Sequence, residues 1–155
     1  RFPNGLALSA DEEFLYCAQT SAGDVLRFPI LPGAQLGMGE RYGPKLGLVA
    51  RRKLNPNIHL PGFIQSRLGY TDGVGMDVEG NLWVCLPAAN KVVAITPQGR
   101  KLTVIHDPSG QVVNHPTNVT WGGPDRHDLY IGSIRANYVL KAQSPVAGLA
   151  LVHQL

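Results

Sequence analysis

Apolar residues fall on every second position in three short stretches of this chain, and each stretch is followed by the same succession of features. Leu6 and Leu8, Val74 and Met76, and Val119 and Trp121 alternate with small or polar neighbours, the period of a half-buried strand. An acidic or glycine-containing turn comes next: Ala-Asp-Glu-Glu, Val-Glu-Gly-Asn and Gly-Pro-Asp-Arg. A second strand then opens on Leu and an aromatic residue, as Leu15-Tyr16, Leu82-Trp83 and Leu129-Tyr130. Third strands are predicted over residues 25–30, 91–96 and 138–141, and fourth strands over 101–106 and 46–52. No segment sustains a helical period, so the chain reads as all-β.

The three repeats start at Asn4, Asp72 and Thr117, which lie 68 and 45 residues apart. The second interval matches the roughly 40 to 50 residues of a four-stranded propeller blade. The first is longer because of a Gly- and Pro-rich insertion over about residues 33–69. The expected architecture is therefore about three four-stranded blades, with residues 1–155 forming part of a single β-propeller domain. Propellers close with about four to eight blades. Three blades are expected to leave two apolar terminal faces, to be covered by missing blades or by a second chain. The chain opens on Arg-Phe-Pro-Asn-Gly, without an initiator Met or a signal peptide, and is read as an internal cut of a longer, cytoplasmic protein.

Composition narrows the function. Of 155 residues, 18 are Gly and 12 are Pro, which suits many turns and argues against a helical bundle. No apolar run approaches the roughly 18 residues of a membrane helix, so no membrane partner is expected. Cys17 and Cys85 cannot build a disulfide framework and are read as buried free thiols. The basic character belongs to one segment: Arg41, Lys45, Arg51, Arg52, Lys53 and Arg67 face only Glu40, giving that segment +5 in a chain of net charge +3. A patch for nucleic acid would interleave aromatic residues, and only Tyr42 and Phe63 lie near its ends. Charged strand edges and loops are the better reading, and nucleic acid is not expected as a partner.

Chemistry concentrates where the repeats begin. In a propeller the first strand of each blade lines the central channel, so Asn4, Asp72 and Thr117 are expected to converge at one of its ends. Asn and Asp offer hard oxygen ligands, and Gly5 and Gly73 permit close backbone approach. Oxygen donors favour Ca²⁺, Mg²⁺ or Mn²⁺, with Zn²⁺ also open. Asn-Gly and Asp-Gly are equally turn dipeptides, and from the residues alone both readings stand. Asp11, Asp77 and Asp125 suit turns. The histidines (His59, His106, His115, His127 and His153) lack ligand-like spacing, and no Ser sits in a nucleophile elbow. Trp83 and Trp121 read as core between blades.

Three motifs carry a family resemblance. Pro3-Asn4-Gly5-Leu6-Ala7-Leu8-Ser9-Ala10-Asp11, then Asp72-Gly73 with Asp77 and Glu79-Gly80-Asn81-Leu82-Trp83-Val84, then Pro116-Thr117-Asn118-Val119 with Gly122-Gly123-Pro124-Asp125 resemble elements of the gluconolactonase and regucalcin-like (senescence marker protein 30) family, in the family's order. That resemblance implies a six-bladed propeller with one divalent cation, most simply Ca²⁺, hydrolysing sugar lactones. It implies Asn4 and Asp72 as metal ligands, Asp72 as general base, and the third ligand, a Glu, in a half this chain lacks. Thr117 becomes a candidate substrate contact. Thr71 departs from the family's Pro before the Asp. The alternatives are a same-fold esterase or phosphotriesterase, or a binding scaffold with a structural metal.

Overall fold

The computed structural model describes residues 1–50 and 60–151. Three antiparallel sheets follow one another in the order of the three repeats. The first contains β1 (Pro3–Leu8), β2 (Phe14–Gln19), β3 (Asp24–Leu31), the short β4 (Gln35–Leu36) and β5 (Glu40–Tyr42). One helical turn, α1 (Gly62–Gln65), precedes the second sheet, formed by β6 (Val74–Met76), β7 (Leu82–Leu86), β8 (Lys91–Ile95) and β9 (Lys101–His106). The third is β10 (Pro116–Gly122), β11 (Asp128–Ser133) and β12 (Leu140–Gln143).

The alternation explains how the sheets stack. On one face of the second sheet, Val74, Met76, Leu82, Val84, Val93 and Ile95 pack against Tyr16, Ala18, Val25 and Tyr42 of the first. On its other face, Trp83, Cys85, Val92 and Ala94 meet Val119, Trp121, Leu129 and Ile131 of the third. Strands β7 and β8 are thus buried on both sides and read as unbroken apolar runs. Each fully buried Leu, Val or Ile contributes roughly 1.5 to 3 kcal/mol. Trp83 and Trp121 cross edge to face with centroids 5.1 Å apart, as their reading as core between sheets requires.

Two strand expectations need correction. The strand expected over residues 46–52 is replaced by β5, which pairs Tyr42 with Val25 and Glu40 with Arg27. Tyr42 selects this register. Its ring packs 4.8 Å from that of Tyr16, and its buried hydroxyl donates to Thr96 O of the neighbouring sheet at 3.1 Å. Beyond it, Leu46 is buried and Leu48 forms only an isolated bridge with Leu68, while Arg51 and Arg52 lie outside the described residues. Among the described residues the third sheet has three strands rather than four.

Of the two terminal faces expected to be apolar, one is and one is not. On the first sheet the outer face is apolar, with Leu6 59% and Leu8 42% exposed where the equivalent Val74, Met76, Val119 and Trp121 are buried. On the third it is polar, because the register sets Thr120 against Tyr130, Tyr130 against Lys141, and Asp128 against Gln143. There Asp128 takes an ion pair from Lys141 at 2.7 Å and a hydrogen bond from Gln143 at 2.6 Å.

The insertion is fastened by lysines. Lys45 Nζ donates to Ala22 O and lies 3.3 Å from buried Asp24, while Lys91 and Lys101 reach Ser66 O and Leu46 O within the insertion. Arg41 and Arg67 are exposed, as charges on an edge or loop would be; Arg51, Arg52, Lys53 and His59 lie outside the described residues. Among the described residues no helix is long and apolar enough to cross a membrane.

Asp77 is more than a turn residue. Fully buried, its carboxylate accepts Glu79 N–H, Asn81 N–H, the Asn81 side-chain amide and Trp83 Nε1–H at 2.8 to 3.2 Å. Asp77→Ala strands those donors and is expected to cost about 3 kcal/mol or more in urea unfolding, against a much smaller loss for Asp11→Ala in an exposed turn. Equal costs would remove Asp77 from its role as the hub of that turn.

Candidate functional site

The inner strands β1, β6 and β10 meet where the repeats begin. Gly5 N–H reaches Asp72 O at 3.3 Å, and Gly73 N–H donates to Thr117 O at 2.7 Å. Neither contact tolerates a side chain. A Cβ on Gly5 would stand 2.5 Å from Asp72 O, and one on Gly73 2.4 Å from Thr117 O. Beneath them, Asp72 N–H donates to Cys85 O and Cys85 N–H to Gly73 O, both at 3.0 Å, which locks the Asp72–Gly73 peptide onto β7.

This packing brings Asn4 and Asp72 together. Asn4 is exposed at the rim, and Asp72 is half-buried beside it. Burial is the main influence on the Asp72 carboxyl and raises its pKa; hydrogen bonds from the Asn4 side chain and the Gly73 N–H oppose that rise. Thr117 adjoins the pair through its carbonyl rather than its hydroxyl. Its Oγ1 lies back over Gly132 of its own sheet, 3.7 Å from where a Cβ there would stand.

Two neighbours escape sequence reading. A register shift between Pro116 and Asn118 breaks the alternation, so the Asn118 side chain lies against Gly73, with Oδ1 2.6 Å from where a Cβ would be. Thr20 joins the site from the end of β2: its Oγ1 accepts Asn4 Nδ2–H at 3.2 Å and donates to Thr71 O at 2.7 Å. A bulge and a contact across 51 residues leave no mark in local sequence.

The other candidates fall elsewhere. Cys17 and Cys85 are free and buried, and burial raises both thiols, Cys85 strongly with the Asp72 charge adding to it; neither is poised as a nucleophile. His115 Nδ1 lies 3.0 Å from Asn114 Oδ1, and its pKa is lowered by burial and then by Arg135. His127 Nδ1 lies 2.7 Å from Ser144 O, and His106 is exposed. An apolar groove of about 500 Å³, lined among others by Leu8, Met76, Trp121 and Leu149, runs toward the opposite end of the inner strands. It does not touch Asn4, Asp72 or Thr117.

A hard cation takes six to eight oxygens for Ca²⁺. Asp72 offers an anionic oxygen and Asn4 a neutral one on its far limb, the Asn4 amide N–H being the group that faces the carboxylate here; no cationic side chain pairs with Asp72 among the described residues. Among those residues no three His, Cys, Asp or Glu side chains gather as a complete metal cluster. The pair therefore fits part of an oxygen ligand set, not the whole of one.

The family model described as the SMP-30/Gluconolactonase/LRE-like region matches residues 1–135. The chain belongs to this family. It is 30% identical over 134 residues to the 6-deoxy-6-sulfogluconolactonase of Pseudomonas putida, covering 86% of this chain and 38% of that protein. Among solved structures, a luciferin-regenerating enzyme superposes with a TM-score of 0.65 at 21% identity, over 96% of this chain and 48% of that one. The calcium-binding protein regucalcin of Agrobacterium tumefaciens gives 0.63 at 20% identity, over 88% and 39%. At such identities the structural likeness speaks for the fold alone. The chain spans less than half the length of these relatives.

The raised Asp72 carboxyl has a consequence for stability. A carboxylate disfavoured by burial penalises the fold while charged, and the penalty fades as falling pH protonates it. In the chelated, cation-free chain, Asp72→Asn is expected to leave the melting temperature at pH 7 unchanged or raised, with any gain shrinking below about pH 5. A clear loss of melting temperature at pH 7 would mean that the folded state stabilises the charge.

Proposed function

We propose that this chain is the C-terminal half of a six-bladed β-propeller that hydrolyses sugar lactones with one divalent cation, most simply Ca²⁺, held in part by Asn4 and Asp72. The observation that carries this reading is the meeting of those two side chains at the mouth of the inner strands, in a member of a family that includes gluconolactonases. The hard oxygen donors of the pair support the choice of ion.

When bound, such a cation supplies the charge that polarises a lactone carbonyl and makes a nearby water more acidic. Asp72 then orients that water and takes one of its protons while the water oxygen bonds to the acyl carbon. As the acyl–oxygen bond of the ring breaks, Asp72 returns the proton to the departing ring oxygen, giving a hydroxy acid. Asn4 offers an oxygen without adding charge, which keeps the site electrophilic. Thr117 is assigned a substrate contact through Oγ1, over Gly132 and apart from the Asn4–Asp72 pair.

The chain spans less than half the length of its relatives, which leaves room for what these residues do not supply. The remaining ligands and most substrate contacts are assigned to an upstream half whose sheets cover the apolar face bearing Leu6 and Leu8. A second copy of this chain is the poorer closure: its exposed third-sheet face carries the Asp128–Lys141 pair and does not match that apolar surface.

Residues 1–155 alone are expected to show no lactone hydrolysis in the presence of calcium. Complemented by the upstream half of a family lactonase, they are expected to hydrolyse members of a sugar-lactone panel in a chelator-sensitive manner. Asp72→Asn is expected to lower that turnover by about 10² to 10⁴. An active lone monomer, or a folded, closed assembly inactive across the panel, would contradict the proposal.

A further inference from the structure

We propose that Thr20 is the positioning residue of this site: its single hydroxyl proton decides which end of the Asn4 carboxamide faces away toward the ligand. The proposal rests on Asn4 being a cation ligand, and adds how that ligand is held.

A threonine hydroxyl owns one proton and two lone pairs. Thr20 Oγ1 lies 2.7 Å from Thr71 O, a peptide oxygen that can only accept, so the proton is committed there. Toward Asn4, 3.2 Å away, Oγ1 can then only accept. The atom facing it must be the amide nitrogen, which fixes an orientation that a carboxamide by itself leaves open. Nδ2 is held by Thr20 and, in the cation-free chain, also donates to Asp72, so Oδ1 occupies the opposite limb and is the oxygen left for a ligand. Were the amide reversed, Oδ1 would face another oxygen with no hydrogen between them.

Thr20 is itself held. Its N–H donates to Phe2 O at 3.1 Å, and Gln19 beside it pairs with Pro3, the residue before Asn4. Thr71 is fully buried and directly precedes Asp72. One oxygen atom therefore references the Asn4 side chain, on the first sheet, and the peptide leading into Asp72, on the second. An exposed asparagine would otherwise sample several rotamers, and each would have to be given up on binding. Groups that orient metal ligands in this way typically change affinity by about 10- to 100-fold when removed.

The test uses Thr20→Val, which keeps the shape and loses the hydroxyl, Thr20→Ser, which keeps the hydroxyl, and Asn4→Ala. Calorimetric titration with calcium chloride of the chain complemented by the upstream half of a family lactonase is expected to show Thr20→Val binding about 10- to 100-fold more weakly, Thr20→Ser within a few-fold of the parent, and Asn4→Ala at least as impaired as Thr20→Val. In the metal-free proteins the Asn4 side-chain amide resonances in NMR spectra are expected to be dispersed and slow to exchange in the parent and in Thr20→Ser. In Thr20→Val they are expected to shift and to exchange faster, the contact with Asp72 alone remaining, with the rest of the spectrum retained. Unchanged Asn4 amide resonances or unchanged calcium affinity in folded Thr20→Val would overturn the role of Thr20. A closed, folded parent assembly that binds no calcium would instead overturn Asn4 as a ligand, and the amide resonances would still decide whether Thr20 orients it.

Discussion

The structure depends on the distance between neighbouring inner strands at Gly5 and Gly73. There the backbones come within hydrogen-bonding reach, with Gly73 N–H at 2.7 Å from Thr117 O. Any side chain would occupy space already filled by the neighbouring carbonyl. Two residues without a Cβ therefore set how tightly the three sheets converge at this end. The same closeness sets Asn4 beside Asp72, because each is the residue immediately before its glycine. Fold and candidate chemistry share one steric constraint.

The core makes that arrangement rigid. The second sheet lies between the other two, and Leu82, Val84, Val92 and Val93 have almost no contact with solvent. Asp72 is anchored on this sheet through Cys85, whose thiol is pushed up by burial and takes no part in chemistry. A site mounted on packed strands keeps its geometry better than one on loops. The half-burial that raises the Asp72 carboxyl follows from the same placement. Stability and reactivity pull against each other at this residue: the desolvation that makes the carboxylate costly to the fold also makes it responsive to a cation.

Much of the fold is legible in the sequence because its period is simple. Alternation at Val74 and Met76, or at Val119 and Trp121, gives both the strand and the face it buries. The Asn-Gly and Asp-Gly openings set Asn4 and Asp72 at matching repeat positions, and the family resemblance separates them from ordinary turn dipeptides. What is illegible has specific causes. The edge strand at Glu40–Tyr42 is chosen by the contacts of Tyr42 with Tyr16 and Thr96, which are distant in sequence. Asp77 resembles any turn aspartate until Trp83 Nε1 is seen to depend on it. Asn118 is hidden by a bulge, and Thr20 by a partner 51 residues away. Polarity of the third sheet's outer face follows from its strand register, which alternation alone does not reveal.

The central claim is that Asn4 and Asp72 form one oxygen site for a divalent cation. It is tested most directly by growing crystals of the chain with manganese and mapping anomalous scattering at the manganese edge. The expected map has a peak within about 2.0 to 2.6 Å of Asn4 Oδ1 and an Asp72 carboxylate oxygen, the range of hard cations on oxygen ligands. A manganese peak bound elsewhere, with these two side chains keeping their contacts and no density between them, would contradict it.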